Sequence, residues 1–334
     1  MLYSATCMTV FIANFALWEN TAKHYLKQYA EMKNVIFKAI VSIALFLTAI
    51  GASAQGGAKW ENVDYAGDGI VGHRMDIYLP DDTVSRHKVI ILIYGSAWFS
   101  NSAKADAFRQ LGRPLLDAGF AVVSVNHRAS TEAKFPAQVN DVKAAVRYVR
   151  AHAAEYRLDT SFIGVTGYSS GGHLSSFLGT TNGVRTYGAG DKVIDIEGSV
   201  GSCLDSSSSV DAVVDWFGPV DMSRMENCST VKDGKSPEAV LLGCPPASNP
   251  GLVAALSPIN HVAESGPMFL VIHGNSDPVV PYCQSVFFSD VLKAKGRLAD
   301  FITVEGGQHG PVTFNADTMQ RMTDFFKAQA DRKK

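Results

Sequence analysis

The sequence predicts an α/β protein, a single domain built on a mostly parallel, twisted sheet with helices on both faces. Three observations carry that prediction. Apolar runs such as "KVIILIYG" (88–95), "FAVVSVN" (120–126) and "MFLVIHG" (268–274) lack polar alternation, as strands buried on both faces do. Between them lie stretches with helical spacing, clearest in "FPAQVNDVKAAVRYVRAHAAEY", where Val139, Val142, Val146 and Val149 recur at 3-4-3 intervals. The two patterns alternate over about 230 residues, the order that a parallel sheet with crossover helices requires.

The elements follow in order. "GIVGHRMDIYLP" (69–80) reads as an edge strand stopped by Pro80. The 88–95 strand comes next, then a helix in "AFRQLGRPLLDAG" that closes at Gly119, then the 120–126 strand and the valine-striped helix. "FIGVTGYSSGGHLSSFLG" (162–179) turns a buried strand into a helix through Gly-Tyr-Ser-Ser-Gly-Gly. "VDAVVDWFG" (210–218), the 268–274 run and "DFITVEG" (300–306) are further strands, with helices near 284–295 and 314–328. Residues 219–262, rich in Ser, Pro, Gly and Asn, form the main insertion and offer little core of their own.

Composition bounds the function. Of 334 residues, 46% are hydrophobic and 19% charged, with a formal net charge of −2, which argues against a nucleic-acid binder. From Met32 the chain reads "MKNVIFKAIVSIALFLTAIGASAQGG": basic Lys33 and Lys38, an apolar run over 39–50, then the small residues Ala52-Ser53-Ala54. That is the three-part pattern of a secretory signal, with cleavage after Ala54, and the run is short for a membrane span. Translation is therefore expected to start at Met32, with residues 1–31 an upstream extension and 55–334 the exported chain, secreted or periplasmic and without stable membrane association. Cys203, Cys228, Cys244 and Cys283 remain in it, an even number in an oxidising compartment. Cys228 and Cys244 flank one polar stretch, so their pairing is favoured, with Cys203–Cys283 left over; closing that loop would contribute about 3 kcal/mol. None of the four lies in a C-x-x-C spacing, so neither a metal nor a redox site is expected.

In a parallel sheet ligands bind beyond the carboxyl ends of the strands, so those ends are the positions to read. Gly167-Tyr168-Ser169-Ser170-Gly171 is a G-x-S-x-G match, which alone is weak, since roughly one chain in five of this length and composition carries one by chance. Its setting, with a strand before it and a helix after, is what raises it: the glycines relieve a sharp turn that lifts the Ser169 hydroxyl above the sheet. A serine hydroxyl needs a base. His309 follows the last strand in a Gly-rich loop, and Asp277 follows the strand before it, giving the chain order Ser, Asp, His of α/β-hydrolases. Asp277 would fix the tautomer of the His309 imidazole. Other candidates are weaker: His173 reads as a packed structural histidine, His273 lies at a strand end, His127 could line the site, and Asp221 is the substitute acid ahead of Asp215. The amides of Ser96, Ala97 and Ser170 are the oxyanion donors to expect, with Trp98 walling the acyl pocket and Tyr168 also assigned to substrate binding.

Together "YGSAWF", "EAKFPAQVNDVKAAVRYVRAHAAEY", "GYSSGGHLSSFLGTT", "SPEAVLLG", "IHGNSDPVVP" and "EGGQHG" resemble α/β-hydrolase esterases of the acetyl xylan esterase and feruloyl esterase type, which are similar to hormone-sensitive-lipase-like carboxylesterases. The resemblance spans roughly residues 60–330 and implies Ser169, Asp277 and His309 as the triad of a serine esterase without cofactor, acting on small-molecule or carbohydrate esters. Two departures stand out. The family often carries His-Gly-Gly-(Gly/Ala) where this chain has Tyr94-Gly95-Ser96-Ala97, and usually Ala where Ser170 stands. A serine peptidase of the same fold is the enzymatic alternative, although such enzymes commonly carry a gating domain for which residues 55–334 leave no room. A non-catalytic hydrolase-fold binding protein is the other, although such proteins usually lose a triad member.

Overall fold

The computed structural model describes residues 57–190, 192–225 and 236–333. The expected extension 1–31, the signal segment 32–54 and Cys228 lie outside the described residues. Ten strands occur within them: β1 (Lys59–Asp64), β2 (Arg74–Tyr78), β3 (His87–Ile93), β4 (Ala121–Val125), β5 (Leu158–Tyr168), β6 (Thr186–Ala189), β7 (Lys192–Asp195), β8 (Ala212–Trp216), β9 (Met268–Gly274) and β10 (Leu298–Val304). Eight of them form one sheet in the order β1-β2-β4-β3-β5-β8-β9-β10, while β6 and β7 form a separate hairpin. From β4 to β10 every neighbouring pair is parallel; β1–β2 and β2–β4 are antiparallel. This is the α/β-hydrolase fold, in one domain.

Alternation along the central strands builds a core on each face. Val89, Ile91 and Ile93 of β3 join Val139, Val142, Val146 and Val149 of the helix Ala137–Ala151, and Leu174, Phe177 and Leu178 of the helix Ser170–Thr180. Ile90, Leu92 and Tyr94 point the other way, into a cluster with Leu111 and Leu115 and with Met322 and Phe326 of the helix Ala316–Asp331. The runs that became β3, β4, β8 and β9 are therefore buried on both faces, as a parallel sheet demands, whereas β10 is the other edge and only partly buried.

Three expectations need correction. The 69–80 strand is not the edge: β2 lies between β1 and β4, and β1 takes the edge. A break in pairing between Trp60 and Val63, with Asn62 at φ 55°, puts the two half-buried apolar residues of β1 three apart, so the period of two that marks a strand is lost. The insertion is also less polar in effect than in composition. It forms helices Pro237–Leu242 and Pro250–Leu256, and Val220, Met222, Leu241, Leu242, Val253 and Leu256 enter the main core. Finally, Cys244 and Cys203 are free thiols, so neither the Cys228–Cys244 nor the Cys203–Cys283 pairing forms. Cys244 packs half-buried against the core, its place fixed by the left-handed Gly243 before it rather than by a cross-link. Cys283 is disulfide-bonded, and its partner is not among the described residues. No helix among the described residues is long and apolar enough to cross a membrane.

Candidate active site

The loops after β3, β5, β9 and β10 meet above the centre of the sheet, and each contributes one part. β5 ends at Tyr168, and Ser169 takes φ 57°, ψ −126° before the helix Ser170–Thr180 begins. A side chain rarely tolerates that conformation, which stores strain in return for lifting the hydroxyl clear of the backbone. The turn is too tight for a Cβ on its flanks: one on Gly167 would strike the Gly171 carbonyl, and one on Gly171 would strike the Ile93 carbonyl of β3.

The Ser169 Oγ lies 3.0 Å from His309 Nε2, and His309 Nδ1 lies 2.7 Å from Asp277 Oδ2. A carboxylate can only accept, so Nδ1 carries the proton, and Nε2 is left to accept from the serine hydroxyl. The Asp277 side chain is fully buried, whereas that of His309 is one-fifth exposed. Burial by itself would raise the Asp277 pKa. Hydrogen bonds from His273, His309 and the Val279 amide more than offset it and hold the carboxyl well below the usual carboxylate range. The acid is thus ionised at neutral pH, as a group that steadies an imidazolium should be. The His309 ring is further supported by Phe217, 4.7 Å away, itself at φ 41° after β8.

His273, weighed in the sequence only as a rival base, is a second imidazole on the same carboxylate. It is fully buried, with Nε2 3.3 Å from Asp277 Oδ2 and 3.1 Å from the Val280 carbonyl, and Nδ1 2.7 Å from Ser285 Oγ. Both neighbours of Nε2 accept, so Nε2 carries the proton and Nδ1 accepts from the Ser285 hydroxyl. Nothing in the sequence but its place four residues before Asp277 signals this. The remaining rivals are elsewhere engaged. Asp221 accepts from Ser223 and pairs with Arg224. Asp215 accepts from the Ser176 hydroxyl and the Gly218 amide. His173 is a packed histidine, accepting from Trp98 Nε1 and donating to the Leu256 carbonyl. His127 is buried beneath Tyr94, with Nδ1 donating to the Arg128 carbonyl, and does not line the cavity.

The oxyanion assignment divides. Ser96 does not offer its amide: that N–H donates to Ser170 Oγ at 2.9 Å. The amides of Ala97 and Ser170 have no acceptor among the described residues, and both residues line the cavity at Ser169. Ala97 and Trp98 hold φ 50° and 61°, the bend that turns this loop toward the serine. The two departures from the family pattern are thus one feature, since the Ser170 hydroxyl fastens the loop that Ser96 begins. The Tyr94 hydroxyl points away, donating to the Ser100 carbonyl.

A cavity of about 360 Å³ opens at this point, lined by Ala97, Trp98, Ser169 and Ser170, by Pro219, Met225, Val279 and Val280, and by Ser236, Pro237 and Glu238. Trp98 is therefore at the expected wall, with most of its indole buried. Tyr168 is not: it packs edge-on against Phe314, away from the cavity lining. Glu238 was not singled out in the sequence, where it stood only within "SPEAVLLG".

Residues 75–292 match the family described as BD-FAE. The chain belongs to the BD-FAE family. It is 30% identical over 243 residues to esterase LipQ of Mycobacterium tuberculosis, covering 72% of this chain and 54% of that protein. It thus spans about half the length of the curated relatives it matches. Among solved structures it is similar to a truncated carbohydrate esterase from gut microbiota, at 54% identity and TM-score 0.82 over 84% of this chain and 99% of that one. It is also similar to a bifunctional GH43-CE protein of Bacteroides eggerthii, at 60% identity and TM-score 0.81 over 81% of this chain and 35% of that one.

Proposed function

We propose that this BD-FAE member is a serine carboxylic-ester hydrolase that removes short acyl or feruloyl groups from carbohydrate or similar esters. The observation that carries the reading is the unbroken line from the Ser169 hydroxyl through both nitrogens of His309 to the buried Asp277 carboxylate, with steps of 3.0 and 2.7 Å. Ser169 Oγ attacks the ester carbonyl while His309 Nε2 takes its proton, and the oxyanion forms against the Ala97 and Ser170 amides. Collapse expels the alcohol, protonated by His309, and leaves an acyl-serine; water, deprotonated by the same nitrogen, then releases the acid. Asp277 keeps its charge throughout and stabilises the imidazolium. The resemblance to carbohydrate esterases supports the substrate class, and the secretory pattern ending at Ala54 supports an exported enzyme, for which N-terminal sequencing of the secreted or periplasmic protein should begin at Gln55.

Ser169→Ala should lower turnover of a small aryl acetate by about 10³-fold or more. A variant that kept nearly the wild-type rate would sink the assignment. Hydrolysis of dipeptide amides in preference to aryl esters would favour the peptidase reading, and failure of a fluorophosphonate to label Ser169 would favour a binding protein.

A further inference from the structure

We propose that Glu238, paired with Ser236, recognises hydroxyl groups on the alcohol half of the ester and so selects sugar esters over simple ones. The inference rests on the esterase reading and adds to it the group that chooses the substrate. Glu238 is 6% exposed and lines the same cavity as Ser169. A carboxylate so deeply placed ordinarily has a partner, because burying it unpaired is unfavourable. Among the described residues Glu238 has no hydrogen-bond or ion-pair partner, and none of those that line the cavity is Lys, Arg or His.

Local structure does not account for it. The residue sits in the first turn of the helix Pro237–Leu242, where an acidic side chain can serve as a cap. That place is taken: Ser236 Oγ accepts from the Ala239 amide at 3.3 Å. Nor are the Glu238 oxygens sealed in, for they are absent from the fully buried side-chain atoms that lack a partner. What solvent reaches of this side chain therefore includes its carboxylate, on a residue that lines the cavity.

The chemistry of the pair points to the ligand. Ionised, the carboxylate can only accept; Ser236, its oxygen already accepting from Ala239, still has a hydroxyl proton to donate. A donor and an acceptor lining one cavity match a hydroxyl, which needs both, and adjacent sugar hydroxyls supply two such groups. An ammonium would use the carboxylate but leave the Ser236 proton without an acceptor. A hydrocarbon chain would suit Trp98, Pro219, Met225 and the two valines yet strand the charge. An anionic group would be repelled.

The test holds the acyl group constant and changes the alcohol. The values of kcat/KM for methyl β-xyloside monoacetate and for phenyl acetate are measured in wild type, Glu238→Gln and Glu238→Leu, with active sites counted by fluorophosphonate labelling. The ratio of sugar ester to phenyl acetate should fall about 30-fold in the Leu variant, mainly through KM, as loss of charge-assisted hydrogen bonds predicts. The Gln variant keeps the shape and one acceptor, so its ratio should fall by a smaller factor, about 5-fold. Should the Leu protein not fold, the Gln variant decides alone. An unchanged ratio overturns the inference, and so does a larger loss on methyl ferulate than on the acetylated xyloside, which would put the recognised hydroxyl on the acyl side. Wild type that fails to hydrolyse phenyl acetate strikes the esterase reading itself, whereas an unchanged ratio strikes only this one.

Discussion

Ser170 carries two tasks through different atoms. Its amide is free to face the oxyanion, while its hydroxyl accepts from the Ser96 amide at 2.9 Å and ties the 94–98 loop to the start of the nucleophile's helix. An Ala at this place would keep the first task and lose the second. Ser170→Ala should therefore leave both oxyanion amides present but loosen the one contributed by Ala97. Deleting an oxyanion donor outright reduces kcat by about 10²–10³-fold, so a donor displaced rather than deleted should reduce it by about 10-fold, with KM little changed. Steady-state kinetics on an aryl acetate checks this; a wild-type kcat would mean that the strained Ala97 and Trp98 backbone holds the loop unaided. The grouping of Ser169, His309 and Asp277 was legible because strand ends and chain order restrict it, but this tie was not, since an amide–hydroxyl bond across 74 residues leaves no trace in spacing.

At the scale of elements, legibility followed the continuity of the apolar run. The strands around the site, β3, β5, β8, β9 and β10, had continuous or nearly continuous apolar runs, and Ala97, Ser169, Ser170, Asp277 and His309 were each read from the stretch that follows one of them, whereas Glu238, in the insertion, was not. β1, one edge of the sheet, and the β6–β7 hairpin escaped because exposed strands need only a few apolar residues, and the bulge in β1 breaks even that pattern, whereas β10, the other edge, keeps the run Phe301-Ile302-Thr303-Val304. The insertion misled in the opposite direction, because its Ser, Pro and Gly serve as caps and turns for two short helices whose apolar residues are few but fully used. Ser236 and Asn249 each cap one of them, and Pro237 and Pro250 each open one. Leu256 measures how far that segment is core. It is 1% exposed, and its carbonyl accepts from His173, which in turn accepts from Trp98 in the cavity wall. Leu256→Ala should destabilise the protein by about 2–4 kcal/mol in chemical denaturation. A loss below about 0.5 kcal/mol, the level of a surface change, would return the insertion to the status of a flap.

Across the whole molecule two buried carboxylates set opposite pH limits. Asp277 is held far below the ordinary range by its two histidines, so its contribution is present above the unfolded pKa near 3.9 and is lost as the pH falls below it. Asp215, under the helix that follows Ser169, is the reverse case. Burial lifts it from 3.8 to about 6, and the hydrogen bonds from Ser176 and Gly218 offset only part of that rise. Between pH 4 and 6 the folded protein keeps this proton while the unfolded chain has released it, so stability declines as the pH rises through that window. The full effect is about 3 kcal/mol, of which about 2 kcal/mol falls between pH 4.5 and 7.5. Asp215→Asn keeps an acceptor for the Gly218 amide and has no proton to lose. Its stability relative to wild type should therefore improve by about 2 kcal/mol on going from pH 4.5 to 7.5. Denaturant titrations of both proteins at the two pH values give that difference directly, and parallel pH dependence in the two would show that Asp215 is already ionised in the fold at pH 4.5.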